Sequence, residues 1–383
     1  MKSVNIIFLV TLFSLTCFCS CNRTNRKITS VTTQYKSESI CFDYIDSATN
    51  EDFRRIFYKT YVSNNSTFYA GYIIHRNFIF FYNGNGRLIK SDTLPKDIKI
   101  DDICIVNEDS FYIFTSTNYD FNFYQIVHGK IKKQWKPEVN GNTVATMRTF
   151  LVLSLFHEFR VFSENNRLYC ILNAPTFSLT NNKTSDDVHN GNPVLSLFNL
   201  TDDGKIKIDF SFASFKKKNN YHDFLTLYTF INDSVVAYGI ESERNIYFYN
   251  IYSRKLIKEF EPDLQYFQEN TPFNMDSVSP DYTNRYLSGN TRKYFLKYNP
   301  ANKTLYCMYT VRQKYDGDTV ALAHEGDFVL ASIDPFHYKL KQEYYFKGNE
   351  YLNSSAMFFE DKIGLLQKEN NSTRKRCYDI FSF

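Results

Sequence analysis

The chain has 383 residues, with 45 Lys and Arg against 41 Asp and Glu, for a formal charge of +4. That near balance excludes the concentrated basic excess of a nucleic-acid binder, and 43% hydrophobic with 22% charged residues excludes both a disordered chain and a bundle of membrane helices. The aromatic content is high: 37 Phe, 30 Tyr and 1 Trp, with only 13 Gly and 9 Pro. Phe and Tyr suit the half-buried faces of strands.

Residues 1–20 read as an export address. Lys2 gives a positive start, and Val4–Phe18 is an apolar run interrupted by Asn5. The run is shorter than the about 20 residues of a spanning helix and ends in small residues, as a secretory signal does. Phe18-Cys19-Ser20-Cys21-Asn22 resembles the lipobox of bacterial lipoproteins, with Phe18 in place of the usual Leu. The resemblance implies cleavage before Cys21 and lipid on its thiol. The expected partner is therefore a lipid bilayer, reached through acylated Cys21; two or more acyl chains anchor stably where one is marginal. Residues 21–38 follow as a polar tether, and 39–383 form the folded domain.

The body alternates short Phe/Tyr/Ile/Val/Leu runs with Asn, Gly, Asp and Pro joints, the chemistry of hairpins. Seven hairpins turn near residues 84, 128, 202, 252, 300, 336 and 371, a mean spacing of about 48 residues against the roughly 40–50 of a propeller blade. The expected fold is all-β: a single β-propeller of antiparallel four-stranded blades, seven favoured and six the alternative. Lys-rich runs such as Lys130–Trp135 suit exposed outer edges. Ser39–Ile45 is a lone strand expected to pair into the final blade, and Arg148–Phe162 is expected to be strand rather than helix. One such unit cannot bury both of its faces, so the aromatics are expected mostly between blades, each burying ~150–250 Å².

Five cysteines belong to the body: Cys41, Cys104, Cys170, Cys307 and Cys377. Their spacing offers no zinc motif, and no metal or cofactor is expected. Cys41 and Cys377 are the pair that would meet if the first strand closed a ring against the last.

A lipobox-like start, a tether and Tyr/Phe-rich hairpins at this length resemble propeller lipoproteins of gut-type Gram-negative anaerobes, including a family known only as a domain of unknown function. The resemblance implies a propeller held in the cell envelope, the outer membrane favoured, facing periplasm or exterior. Asp-Ser/Thr-aliphatic tripeptides resemble the general O-glycosylation motif of such exported proteins. They imply Ser47, Thr93, Ser234, Ser277 and Thr319 as acceptors, though the same tripeptide also serves as a turn entering a strand.

No catalytic motif stands out. Gly84-Asn85-Gly86 runs strand to strand and lacks the helix of a dinucleotide loop. Asp202-Asp203-Gly204-Lys205 lacks the further acids of a calcium loop, and no G-x-S-x-G is present. Asp101/Asp102 and Asp186/Asp187 are adjacent pairs, whereas glycoside hydrolysis needs two carboxyls about 5–9.5 Å apart across a sugar. Long segments on a rigid scaffold are where binding tends to sit. Residues 174–192, 213–223 and 262–284 offer Phe177, Asp186, His189, Tyr221, His222, Tyr266 and Phe267 as ligand contacts. The favoured expectation is a non-enzymatic binding module for a glycan, a peptide or an envelope protein, without nucleic acid. The alternative is a glycoside hydrolase or lyase with carboxylates from separate blades in a central channel.

Overall fold

The computed structural model describes residues 35–43, 56–117, 120–137, 159–164, 167–173, 193–214, 226–271, 285–286, 289–312, 326–368 and 376–383. The chain divides into two compact units, 1–30 and 31–383. The first, with Cys21 just inside it, lies outside the described residues, all of which belong to the second.

The described residues form 24 strands: β1 (Lys36–Phe42), β2 (Ile56–Ser63), β3 (Ser66–Ile73), β4 (Phe78–Tyr82), β5 (Leu88–Thr93), β6 (Asp102–Asn107), β7 (Ser110–Thr117), β8 (Asp120–Val127), β9 (Lys130–Pro137), β10 (Val161–Glu164), β11 (Arg167–Asn173) and β12 (Pro193–Leu200). They continue as β13 (Lys205–Ser214), β14 (Thr226–Phe230), β15 (Val235–Ile240), β16 (Ile246–Asn250), β17 (Lys255–Phe260), β18 (Lys293–Asn299), β19 (Thr304–Thr310), β20 (Phe328–Asp334), β21 (Lys339–Phe346), β22 (Tyr351–Phe359), β23 (Lys362–Gln367) and β24 (Arg376–Phe381). Four sheets have four strands each, in the orders β2-β3-β4-β5, β14-β15-β16-β17, β18-β19-β20-β21 and β1-β24-β23-β22. The fifth has eight and is two antiparallel meanders, β6–β9 and β10–β13, joined by a parallel contact of only two residue pairs between β9 and β13.

Apolar clusters fill the space between each meander and the next. Phe81 and Ile79 meet Phe111 and Ile113; Trp135 and Phe123 meet Phe198 and Ile206; Leu197 and Phe212 meet Tyr238 and Tyr247. Ile246 and Phe248 meet Leu305 and Cys307, and Met308 and Phe346 meet Ile363 and Phe381. The last meander returns to the first, with Phe42 and Tyr378 packed on Tyr58, Tyr69 and Tyr82. This is a propeller arrangement, and the aromatic excess of the sequence is largely its inter-sheet core. Phe42 alone stacks on Tyr58 at 4.1 Å and meets the edges of Tyr69, Tyr82 and Tyr378.

Closure follows the expected route. β1, from the start of the domain, pairs antiparallel with β24, and Cys41 stands opposite Cys377 and is bonded to it. Two of the seven expected hairpins, those near 300 and 336, belong to one sheet, β18–β21. The strands of the first, with β20, are almost wholly buried, while β21 is exposed at Lys339, Lys341 and Gln342, as an outer strand should be. Of Arg148–Phe162, only 159–162 are described, and Val161 and Phe162 are in a strand.

Neighbouring units are also joined by a repeated backbone contact. Lys136 N donates to Gly204 O at 2.9 Å, and Asp43 N donates to Gly86 O at 2.9 Å. In each case the end of an outermost strand, β9 or β1, meets the tight third-to-fourth turn of the next meander. Trp135 Nε1 secures the first joint by donating to Thr201 O at 2.8 Å. Within each meander, the first-to-second and third-to-fourth turns take two to five residues. The opposite end carries the second-to-third connections and the starts of the links between units, among them the β15–β16 connection and the described stretch 261–271 that follows β17.

Candidate functional site

At that opposite end, the fourth meander has a recess built from three pieces of chain. The β15–β16 connection supplies Ser242, Glu243, Arg244 and Asn245; the end of β17 supplies Glu259 and Glu261; the next segment of chain supplies Phe267, Glu269 and Asn270. The antiparallel register that sets Tyr247 opposite Glu259 brings the first two pieces together. Asn270 ties in the third: its Nδ2 donates to Ser242 O at 3.0 Å and to Thr291 O at 2.7 Å, and its Oδ1 accepts from Thr291 N at 2.8 Å.

Four carboxylates and one guanidinium line this recess. Neutral donors position two of the carboxylates: Tyr247 Oη donates to Glu243 Oε2 at 3.0 Å, and Asn245 Nδ2 donates to Glu259 Oε1 at 2.7 Å. Burial, and then the Glu243 carboxylate beside it, hold the Tyr247 phenol well above its usual range, so Tyr247 is a proton donor to Glu243 at any physiological pH. Arg244 donates to Phe267 O at 2.8 Å and lies 3.8 Å from Glu261. Behind the wall sits a buried ionic layer. Arg292 pairs with Glu241 at 2.5 Å, and fully buried Lys293 donates to Asn245 O at 2.7 Å. These groups fix the β15–β16 connection rather than present themselves to a ligand.

A second polar cluster joins the first two meanders. Asp102, at the start of β6, pairs with Lys59 of β2 at 2.9 Å and accepts from Tyr72 Oη and its neighbour Ile103 N, both at 2.8 Å. Asp101 accepts from Ser116 N and lies 2.9 Å from His75 Nδ1. Burial raises the Asp101 carboxyl above its usual range against the opposing pull of Ser116 and His75. These carboxylates do have partners from a separate meander, but those contacts engage them as inter-unit ties.

Of the seven residues expected to contact ligand, Phe177, Asp186, His189, Tyr221 and His222 lie outside the described residues, as does Asp187. Phe267 lines the recess; adjacent Tyr266 packs instead against Tyr345, with centroids 5.4 Å apart. Among the five O-glycosylation positions, Ser47, Ser277 and Thr319 lie outside the described residues, Thr93 is exposed at the end of β5, and Ser234 is half-buried, its hydroxyl donating to Asn232 Oδ1 at 3.0 Å. Sequence reasoning missed Ser242, Glu243, Glu259, Glu261 and Glu269. The available signal was the polar run Glu241-Ser242-Glu243-Arg244 between two apolar strands, ahead of the long segment that holds Phe267.

Among the described residues, no group of three or more His, Cys, Asp or Glu is placed to hold a metal ion, and no helix is long and apolar enough to cross a membrane. No protein-family model matches the chain, and no curated protein matches it in sequence. Its structure is similar to the crystal structure of a member of the DUF4221 family from Bacteroides vulgatus, with a TM-score of 0.69 and 11% identity over 91% of this chain and 97% of that one. At that identity the likeness shows the fold. It also matches, at a TM-score of 0.43 and 9% identity, virginiamycin B lyase from Staphylococcus aureus over 90% of this chain and 99% of that one. The Dos1 propeller matches at 0.40 and 9% identity over 83% of this chain and 75% of that one.

Proposed function

We propose that the protein is an exported lipoprotein, anchored in a bacterial envelope membrane through acylated Cys21, whose propeller is a non-enzymatic binding module. We read the ring as six blades: the meanders β2–β5, β6–β9, β10–β13, β14–β17 and β18–β21, and β22–β24 completed by β1. The recess of the fourth meander carries the reading. It is concave and gathers polar groups from three chain segments beside Phe267, and convergent polar groups in a concavity are what orient a ligand. Export is supported by the Cys41–Cys377 disulfide, a bond that persists in oxidising compartments. Binding is favoured over hydrolysis because Asp101 and Asp102, described carboxylates with partners from a separate meander, are engaged as ties between units. Thr93, exposed on an outermost strand, is the proposed glycan acceptor.

Two experiments test this. Cys21→Ala is expected to move the protein out of the membrane fraction; retention there at full precursor mass would make the signal an uncleaved anchor. An array of glycans and envelope peptides is expected to give ligands for the wild-type chain that are lost with Glu261→Lys. Turnover of an arrayed glycan would instead favour the hydrolase or lyase reading.

A further inference from the structure

Among the described residues, the exposed large hydrophobic side chains all lie at one end, in or close to the tight first-to-second and third-to-fourth turns. Val62 and Val106 stand just before first-to-second turns, Ile89 and Ile131 just after third-to-fourth turns, and Tyr252 and Phe336 within third-to-fourth turns, so that four meanders contribute. Single exposed hydrophobics are ordinary, but an apolar surface rimmed by polar groups marks an interaction face. The rim here is basic. Three outer strands start with the same order of cation, aliphatic, cation: Arg87-Leu88-Ile89-Lys90, Lys130-Ile131-Lys132 and Lys255-Leu256-Ile257-Lys258. Lys130, Lys132 and Lys255 are exposed, as is Lys339 just after the Phe336 turn. Acids of these turns already face cations: Asp109 pairs with Lys90 at 2.9 Å, Asp202 with Lys133 at 3.3 Å and Asp334 with His337 at 2.9 Å. Exposed Glu360 and Asp361 belong to the β22–β23 turn, on a meander that adds no exposed large hydrophobic. The described domain also begins at this end. Lys36 pairs with Phe381, which pairs in turn with Ile363 just after the β22–β23 turn, and only residues 22–35 separate Lys36 from Cys21 in the sequence.

Resting in part on the reading of Cys21 as a lipid anchor, we infer that the tight-turn end is a membrane-docking face for an anionic bilayer. Its aromatic and aliphatic tips enter the headgroup region, and the flanking lysines meet the lipid phosphates. Aromatic rings, and Tyr with its polar tip above all, suit that boundary, and Lys carries a charged head on an apolar stem. Basic clusters are drawn to anionic leaflets, and a basic patch added to an acyl chain holds a protein on a membrane more firmly than the chain alone. Docked this way, the opposite end, with the recess, faces away from the bilayer.

The test places the chain, purified from membranes with its native anchor, on vesicles of phosphatidylglycerol and phosphatidylcholine with brominated acyl chains, which quench tryptophan on contact. Trp135 is the chain's one tryptophan and is fully buried, so it supplies a constant background. Tyr252→Trp and Phe336→Trp are expected to be quenched roughly twofold more than Gln268→Trp, an exposed position at the opposite end. High salt, vesicles of phosphatidylcholine alone, and Lys130→Glu/Lys132→Glu/Lys255→Glu are each expected to remove about half of that excess or more. Unchanged thermal unfolding confirms that each variant is intact. Equal quenching at the two ends, or an excess indifferent to salt, lipid charge and the lysine variant, overturns the inference. Self-association that is lost with Phe336→Ser, without excess quenching, would give the face to a second copy and overturn it as well. The anchor is decided separately by Cys21→Ala. If that protein leaves the membrane fraction while the native chain shows no excess quenching, the anchor stands and the docking face falls. If it stays in the membrane fraction and the excess persists, the docking face stands without the lipid.

Discussion

Cys41 and Cys377 face each other across the β1–β24 ladder and are joined by a disulfide, although 336 positions separate them in the chain. The bond sits where the propeller is topologically open, between its first and last strands. A crosslink over so long a loop limits the unfolded ensemble strongly. Its removal by Cys41→Ser/Cys377→Ser is expected to cost about 2–4 kcal/mol, read as a lower urea midpoint. Reductant is expected to lower the wild-type midpoint by a similar amount and to leave the double variant unchanged. Equal sensitivity of both proteins to reductant would place the effect elsewhere.

The backbone joints between meanders make a graded prediction. Gly86, Gly129 and Gly204 all have left-handed φ, at +78°, +72° and +79°. A Cβ at Gly129 would meet nothing within 4 Å, whereas one at Gly204 would lie 3.0 Å from Gln134 O and one at Gly86 would lie 2.6 Å from Cys41 O. Gly129→Ala therefore carries only the conformational cost, about 1–2 kcal/mol. Gly204→Ala is expected to cost more. Gly86→Ala is expected to cost the most, about 3 kcal/mol or above, because the clash is with backbone that cannot swing away. Denaturant midpoints measured in the reverse order would show that the joints do not bear on stability.

Asp379 ties together all four strands of the closing sheet. Its Oδ1 accepts from Ser39 Oγ and Gln367 Nε2, both at 2.6 Å, and its Oδ2 accepts from Tyr351 Oη at 2.8 Å and pairs with Lys36 Nζ at 2.8 Å. Burial works to raise this carboxyl, but the four donors outweigh it and hold it below the usual range. Since the folded value is depressed, the associated stability is present above the unfolded value of about 4. It is lost as pH falls through the folded value. Asp379→Asn is expected to cost about 2–3 kcal/mol at neutral pH and to flatten this part of the acid limb. Acid unfolding curves with parallel slopes in the two proteins would rule out Asp379 as a source of that dependence.

The propeller arrangement was legible because a hairpin needs only local chemistry. Asn83–Arg87 and Thr201–Lys205 show their turn residues and flanking alternation directly. Sorting hairpins into sheets needs burial, and there the exposed outer strand is the guide. Lys339–Phe346 opens with the polar, Lys-rich residues of an exposed edge, while Thr304–Thr310 is buried throughout; spacing alone gives the two hairpins equal rank. The disulfide was legible as a conditional, since Cys41 and Cys377 can meet only if the ring closes. The recess was hardly legible at all. Glu243, Glu259 and Glu269 are separated in sequence and come together through the β16–β17 register and the Asn270 ties to Ser242 and Thr291. Nothing in a one-dimensional charge pattern distinguishes them from solvated turn residues.

Lys293 offers the sharpest test of the ionic layer behind that recess. It is fully buried at the start of β18, with Nζ 2.7 Å from Asn245 O and 3.4 Å from Ile240 O. Burial pushes its ammonium down to about 8, with Cys307 and Glu243 pulling the other way. In the unfolded chain it titrates near 10.4. Between those two values the unfolded state holds a proton that the folded state has released, so stability rises with pH across this window. It is lost again as pH falls toward about 8. Lys293→Met removes the titration while keeping most of the apolar stem. The difference in unfolding free energy between wild type and Lys293→Met is expected to shift in favour of wild type by up to about 3 kcal/mol from pH about 7.5 to about 10.5. Tyrosine ionisation, common to both proteins, cancels in that difference. A difference that stays constant over the window would show that Lys293 keeps its ordinary basicity and that the layer behind the recess is open to water.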